Sequence, residues 1–189
     1  MSGGGRPTLI LASRSPQRRA ILEQLGIPFE ARPQDVPETA EGDPEWAVLE
    51  NARRKARAAA AGVSGPVLGV DTEVLIDGEL LGKATGEGDA ERFLRRLSGR
   101  THTVLSGVFL IDGEVERSGI ATTDVTFRTL SDGQIAEYLE TGEWRERAGA
   151  YAIQGEGAAL VERIDGDYWN VVGLPVALLL DLAPDLLRS

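Results

Sequence analysis

One carboxylate stands out in the sequence as a candidate for catalysis. Asp71 follows residues 67–70, an apolar run that is typical of a buried strand, and we expect that strand to end at the carboxylate. Open α/β sheets usually bind their ligands at the ends of such strands. Asp71 is therefore our first catalytic candidate. The alternative is that it only caps the segment that follows.

A polar turn near the start of the chain is a candidate anion site. It lies between an apolar strand pattern at residues 8–12 and a helical pattern that begins at Pro16, with Ser15 as a suitable N-cap. Free N–H groups and the helix dipole attract anions to such a turn, and Ser13 and Arg18 add groups that suit phosphate. The alternative is a capped helix whose arginines are solvated.

Only two lysines accompany the many arginines, and we treat both as candidate functional residues. Lys55 lies in a helical pattern over residues 44–61, whose charges would otherwise form a solvated face. Lys83 follows a predicted hairpin that turns at Asp77 and Gly78.

A glycine-rich stretch at residues 148–158 is the last candidate. Small residues let the backbone approach a ligand closely, and the amide of Gln154 offers both a donor and an acceptor. Such a stretch is weak evidence by itself. His102 precedes a strand pattern, and we expect it to be structural.

The composition limits the function classes. The 189 residues are 42% hydrophobic, enough for one domain with a substantial core. Without cysteine there is no thiolate metal site and no cysteine nucleophile, so any metal must be bound by oxygen. A net charge of −10 disfavours stable nucleic-acid binding. No apolar run is long enough to span a membrane, and we expect a cytoplasmic protein.

The elements that must position these residues alternate between strand and helix patterns. We expect a strand and loop at residues 28–38, a helix at 89–97, a hairpin that turns at Asp112 and Gly113, and a separate strand at 124–128. A capped helix starts at Ser131, and a last helix follows Pro175. This order predicts an α/β fold with a mixed central sheet flanked by helices.

Several sequence motifs resemble those of the Maf family of nucleoside triphosphate pyrophosphatases. They are Leu-Ala-Ser-Arg-Ser-Pro at 11–16, Glu-Asn-Ala-Arg-Arg-Lys-Ala at 50–56, Gly-Val-Asp-Thr at 69–72, Gly-Lys at 82–83, Ala-Gly-Ala-Tyr-Ala-Ile-Gln-Gly at 148–155, and residues 164–175. The resemblance implies two lobes around a cleft, as in the inosine triphosphate pyrophosphatases. It also implies a single domain over residues 8–189 after a flexible segment 1–7, and a homodimer.

The resemblance also implies roles for individual residues. Asp71 corresponds to the proton acceptor that activates water. Glu38 and Asp71 would hold a divalent cation, Mg²⁺ or alternatively Mn²⁺, with Glu50 and Glu73 as competing ligands. The residues implied to bind substrate are Ser13, Ser15, Arg18, Lys55 and Lys83.

The family's dTTP/UTP branch is the one this chain resembles most, with one departure. Thr72 and Gln154 match that branch and favour a pyrimidine base. Gln17 replaces the family's arginine at a position associated with base choice, and a neutral amide cannot replace a guanidinium group. Either the base contact differs or Arg14 or Arg19 takes over.

The resemblance thus implies hydrolysis of nucleoside triphosphates to monophosphate and pyrophosphate. The expected substrates are dTTP, UTP or modified pyrimidine nucleotides, whose removal limits misincorporation into nucleic acids. The alternative is a regulatory protein that senses nucleotides and is linked to cell division and septum formation.

Overall fold

The computed structural model describes residues 8–187. The segment 1–7, which we predicted to be flexible, lies outside the described residues. Within them the strands are β1 (Leu9–Leu11), β2 (Phe29–Ala31), β3 (Val67–Ile76), β4 (Glu79–Leu81), β5 (Thr101–Asp112), β6 (Val115–Phe127) and β7 (Val161–Asp165). The α-helices are α1 (Pro16–Gln24), α2 (Pro44–Ala59), α3 (Glu87–Leu97), α4 (Asp132–Thr141), α5 (Tyr168–Val172) and α6 (Val176–Leu182). Short 3-10 helices cover Glu156–Leu160 and Pro184–Leu187.

The strands form one mixed sheet. Its order is β2-β1-β3-β5-β6-β7, and β4 pairs with β3 outside this path. The pairs of β1 with β2 and with β3 are parallel, whereas β3 with β4 and β6 with β7 are antiparallel. The prediction of an α/β fold with a mixed central sheet flanked by helices is confirmed.

Two strand boundaries differ from the prediction. The strand around Asp71 does not end there but continues to Ile76, because residues 74–76 pair with β4 across the turn at Asp77 and Gly78. Both turn residues have positive φ, 54° and 79°, as a tight hairpin requires. The strand predicted at 124–128 is the end of the longer β6, where β7 supplies a partner.

The chain divides into two compact units, each built from separate segments. Among the described residues, the first unit comprises 8–71, 106–121 and 173–187, and the second comprises 72–105 and 122–172. β3, β5 and β6 each contribute residues to both units. The single domain over residues 8–189 stays a prediction.

In the first unit, α2 packs closely against the sheet because glycines face it. A Cβ on Gly69 would overlap the backbone of Ala52 and the side chain of Ala56, and a Cβ on Gly107 would lie 2.5 Å from the carbonyl oxygen of Val48. The fully buried alanines of α2 leave the same close approach on their side. This packing fixes the position of α2 relative to β3.

The second unit has an aromatic core. The rings of His102, Phe127 and Tyr151 meet edge to face, with centroids 4.8 to 5.4 Å apart. His102 is buried, and its Nε2 lies 2.9 Å from the Tyr151 hydroxyl. Its position in the core agrees with the expected structural role. None of the helices between residues 8 and 187 is both long and apolar enough to cross a membrane.

Candidate active site

A lysine between two carboxylates forms the centre of the candidate site in the first unit. The Lys55 ammonium lies 2.6 Å from Oδ1 of Asp71 and 2.6 Å from Oε1 of Glu38. The side chain of Asp71 is only 6% exposed and that of Lys55 12%, whereas that of Glu38 is 51% exposed. All three residues were predicted to belong to one site, and the structure brings them into contact.

Asn51 connects this group to the loop that carries Glu38. Its Nδ2 donates to Oδ2 of Asp71 at 2.9 Å and to the carbonyl oxygen of Thr39 at 2.9 Å, while its Oδ1 accepts from the Thr39 amide at 2.8 Å. Both oxygens of Asp71 therefore have a donor, one charged and one neutral. This fixes the plane of the carboxylate and holds it as an acceptor.

The serine turn has the predicted cap, and its arginine is bonded to protein groups. Ser15 Oγ accepts from the Arg18 amide at 3.4 Å and donates to Oε1 of Gln17 at 3.1 Å. Arg18 is buried, and it donates to the carbonyl oxygen of Gly173 at 2.8 Å and to Ser13 Oγ at 3.0 Å. Because Ser13 Oγ also accepts from the Ser15 amide, Arg18 stabilises the shape of the turn. Contact of Arg18 with phosphate stays a prediction.

In the second unit, Lys83 lies beside the glycine-rich stretch. Lys83 and Ala148 form an antiparallel bridge, and the Gly149 amide donates to the carbonyl oxygens of Leu81 and Gly82. A Cβ on Gly149 would lie 2.7 Å from the side chain of Val74, so only a residue without a side chain fits here. Two stretches of the predicted site are therefore joined through their backbones.

The Lys83 ammonium pairs with Glu146 at 2.8 Å on the protein surface. The hydrogen bond from Lys83 lowers the pKa of the Glu146 carboxyl group. With both side chains largely exposed, this pair contributes little to stability, and the lysine is accessible to an anion.

Of the residues predicted to choose the base, Thr72 and Gln154 lie in the second unit and Gln17 lies in the first. Thr72 follows Asp71 directly in β3 and is half-buried. Gln154 is exposed in a turn, where it follows the buried Ile153 and precedes the exposed Gly155. The Gln154 amide therefore faces solvent, while the side chain of its neighbour Ile153 is buried in the core.

The family of the chain follows from a comparison of its whole length. A family model described as "Maf-like protein" matches residues 8–186. The chain belongs to the Maf family. The resemblance inferred from its motifs is confirmed.

Several Maf relatives are similar along nearly the whole chain. The dTTP/UTP pyrophosphatase of Thermococcus gammatolerans is 47% identical over 171 residues, which cover 90% of this chain and 92% of the relative. That of Symbiobacterium thermophilum is 50% identical, with 89% and 88% covered. Among solved structures, a HAM1 protein from Coxiella burnetii aligns with a TM-score of 0.49 at 19% identity, over 82% of this chain and 91% of that chain.

The two competing metal ligands of this Maf chain have different surroundings. Glu50 is held by its own helix, where Arg53 contacts it at 2.5 Å and Arg54 at 2.8 Å. Burial raises the pKa of Glu50, but the hydrogen bonds from the two arginines outweigh it, so that the net shift is downward. Glu73 is half-buried in β3, in the second unit, with Oε2 facing Gly82. Glu38 and Asp71, in contrast, both contact the Lys55 ammonium.

A divalent cation fits the carboxylates around Lys55. Between residues 8 and 187 no group of three or more acidic or histidine side chains is arranged to hold a metal ion. Mg²⁺ in nucleotide enzymes, however, needs only one or two carboxylates, because water and phosphate oxygens complete its shell. Glu38 and Asp71 both direct an oxygen at the Lys55 ammonium, so two carboxylates of the kind that bind Mg²⁺ lie close together.

Two charged residues that precede the glycine-rich stretch, Glu146 and Arg147, have no role predicted from the sequence. Glu146, the partner of Lys83, adopts a positive φ of 58°. Arg147 is half-buried, its Nε has no hydrogen-bond partner among the described residues, and burial lowers the pKa of its guanidinium. No periodicity or motif in the sequence indicates either position, because both depend on how the stretch is folded.

Proposed function

We propose that this Maf protein hydrolyses nucleoside triphosphates to nucleoside monophosphate and pyrophosphate, with dTTP and UTP as substrates. The observation that carries the proposal is the buried Asp71 carboxylate, whose two oxygens are fixed by Lys55 and Asn51. The names of the Maf relatives, dTTP/UTP pyrophosphatases at 47% and 50% identity, support the substrate class.

The reaction needs a water molecule that attacks the α-phosphorus. Asp71 orients this water and accepts its proton, which then passes to solvent. A bond forms between the water oxygen and the α-phosphorus, and the bond from that phosphorus to the bridging oxygen breaks, so that pyrophosphate leaves with the electron pair. Because Asn51 and Lys55 restrain the carboxylate, it needs little rearrangement to reach the water.

The charge of the triphosphate must be neutralised during this step. The ammonium groups of Lys55 and Lys83 contact phosphate oxygens, and the hydroxyls of Ser13 and Ser15 donate to them. Arg18 keeps the Ser13 hydroxyl in position. Mg²⁺ or Mn²⁺, held by Glu38 and Asp71, supplies further positive charge to the phosphate oxygens when bound.

Recognition of the base involves Thr72, Gln154 and Gln17. The Gln154 amide offers a donor and an acceptor to the edge of a pyrimidine ring. Gln17 accepts a hydrogen bond from Ser15, which fixes its Oε1 and directs its NH₂ group away from that serine. These contacts favour nucleotides with a pyrimidine base, such as dTTP and UTP.

The test is pyrophosphate release from dTTP, UTP, dCTP, dATP and dGTP in the presence of Mg²⁺. We expect selective release from dTTP and UTP, and a fall in kcat of at least about 100-fold in Asp71→Asn, because general base catalysis is lost. The control is Asp112→Asn, which removes an exposed carboxylate at the end of β5 and should leave kcat unchanged.

Two results would contradict the proposal. Equal rates in the parent and Asp71→Asn would exclude Asp71 as the base. Tight binding of dTTP without any pyrophosphate release would favour the nucleotide-sensing regulatory protein instead. Calorimetric binding of dTTP to Asp71→Asn establishes that the variant is folded and separates loss of chemistry from loss of the site.

A further inference from the structure

The segment around Gln154 is held on both sides by α4 of the second unit and the turn that follows this helix. Gln154 itself is exposed, but the backbone amides on its two sides donate to side chains of α4 and of the turn that follows it. The side chains are Tyr138 and Glu143. Neither belongs to the motifs that identify the family resemblance.

Tyr138 holds the segment before Gln154. Its hydroxyl oxygen accepts a hydrogen bond of 2.9 Å from the Ala152 amide, and the side chain is buried. Burial raises the pKa of Tyr138 to about 12, so the hydroxyl stays neutral at physiological pH. A Cβ on Gly157 would overlap the carbonyl oxygen of Ala152 and lie 3.0 Å from the same hydroxyl, and these contacts explain the small residue there.

Glu143 holds the segment after Gln154. Its carboxylate accepts from the Glu156 amide at 3.1 Å and from the Gly157 amide at 3.2 Å, in the first turn of the 3-10 helix Glu156–Leu160. The carboxylate therefore satisfies N–H groups that have no partner within the helix itself. A Cβ on Gly155 would overlap this carboxylate, so the glycine next to Gln154 is what allows the contact.

Hydrogen bonds through Thr141 connect Tyr138 to Glu143. The Thr141 hydroxyl donates to the carbonyl oxygen of Tyr138 at 2.7 Å and accepts from the Glu143 amide at 3.1 Å. Gly142, in the left-handed conformation with φ 71°, ends α4 between them. Trp144 is buried and donates to the carbonyl oxygen of Leu139 at 3.1 Å. The end of α4 thus forms a rigid support for the exposed turn.

We propose that Tyr138 and Glu143 are positioning residues that determine nucleobase selectivity by holding the turn that presents Gln154. The inference rests on the proposed function, because it assigns Gln154 to the base. A turn fixed before binding loses less conformational entropy when it contacts a ligand. A mobile Gln154 amide would instead adapt to several base edges, so selectivity would fall before catalysis does.

The test uses Tyr138→Phe, which removes only the acceptor of the Ala152 amide. We expect the ratio of kcat/KM for dTTP over dCTP to fall about tenfold, through KM and with kcat nearly unchanged. Glu143→Ala should act in the same direction, and Glu143→Gln, which keeps one acceptor oxygen, should restore part of the ratio. Tyr168→Phe removes a hydroxyl from a 39% exposed tyrosine of the same unit and should change nothing.

A double-mutant cycle separates positioning from a general structural effect. In a Gln154→Ala background, Tyr138→Phe should cause no further loss of selectivity, because the group it positions is absent. An equal loss in both backgrounds, or an unchanged ratio in Tyr138→Phe alone, would overturn the inference.

Binding measurements distinguish failure of this inference from failure of the proposed function. The binding selectivity is measured as the ratio of the Kd values for the α,β-methylene analogues of dTTP and dCTP, which cannot be hydrolysed between the α- and β-phosphates. A parent protein that releases no pyrophosphate overturns the proposed function, while its binding ratios still decide the role of Tyr138. A parent that binds both analogues equally overturns the inference.

Discussion

The Lys55 ammonium and the Asp71 carboxylate lie 2.6 Å apart, with both side chains almost removed from solvent. Asp71 is in the middle of β3, and Lys55 is on α2, so the pair depends on the close packing of this helix on the sheet. A second carboxylate, that of Glu38, lies at the same distance from the ammonium. The group has more negative than positive charge, which favours binding of a further cation.

Lys55→Met should reduce both stability and activity. Asp71 would lose its charged partner while remaining buried, and we expect the free energy of unfolding to fall by about 2 kcal/mol. Pyrophosphate release should fall at least about 100-fold. Arg57→Met, on the same helix, breaks an exposed ion pair with Glu116 and should change neither. Urea unfolding and steady-state kinetics measure these effects, and equal behaviour of the two variants would contradict a central role for Lys55.

Gly69→Ala should destabilise the first unit. The added methyl group would overlap the Ala52 carbonyl oxygen, and α2 must move away from β3 to relieve the contact. We expect a loss of about 1 to 3 kcal/mol in the free energy of unfolding. Gly88→Ala is the matched control, because its Cβ would meet nothing within 4 Å and the helix α3 gains a better helix former. A stability loss in Gly88→Ala equal to that in Gly69→Ala would contradict the steric argument.

His102 should make the protein less stable in mild acid. Burial lowers its pKa to about 4, against an opposing effect of Asp124, whereas the unfolded chain has the ordinary value of 6.5. The unfolded state therefore binds the proton first, and stability falls as the pH drops below 6.5 towards 4. Between pH 7 and pH 4.5, the free energy of unfolding should fall by about 2 to 3 kcal/mol more in the parent than in His102→Gln. Denaturant unfolding at the two pH values measures it. Identical pH dependence in both proteins would contradict a neutral buried histidine.

Gln17→Arg should sharpen the preference for dTTP and UTP. The guanidinium group adds fixed donors for the carbonyl oxygens of a pyrimidine, and it releases the Ser15 hydroxyl from Gln17 Oε1. We expect kcat/KM for dTTP over dATP to rise at least about fivefold. Gln24→Arg adds the same charge at the exposed end of α1 and should leave the ratio unchanged. A similar ratio in the parent and both variants would remove Gln17 from the base contact.

The sequence determined many of the local elements and the family of the chain. Ser15 and Pro16 start α1 as their capping chemistry predicts, and Asp77 and Gly78 form the predicted turn, because both features depend only on neighbouring residues. The motifs around Ser13, Lys55 and Asp71 were sufficient to indicate the family. Such patterns are readable because they combine residue type with fixed spacing.

Only the tertiary structure decided which of these groups contact one another. Asn51 contacts Asp71 across 20 positions of the chain, and Arg18 contacts Gly173 across 155. From the sequence, Glu50 and Glu38 were both candidate carboxylates for the site around Lys55. In the structure, Glu50 instead forms ion pairs with arginines of its own helix. The support of Gln154 by Tyr138 likewise arises from contact between separate segments of the chain. Such contacts have no local sequence signal, because hydrogen bonds and packing form between whichever groups the folded chain brings together.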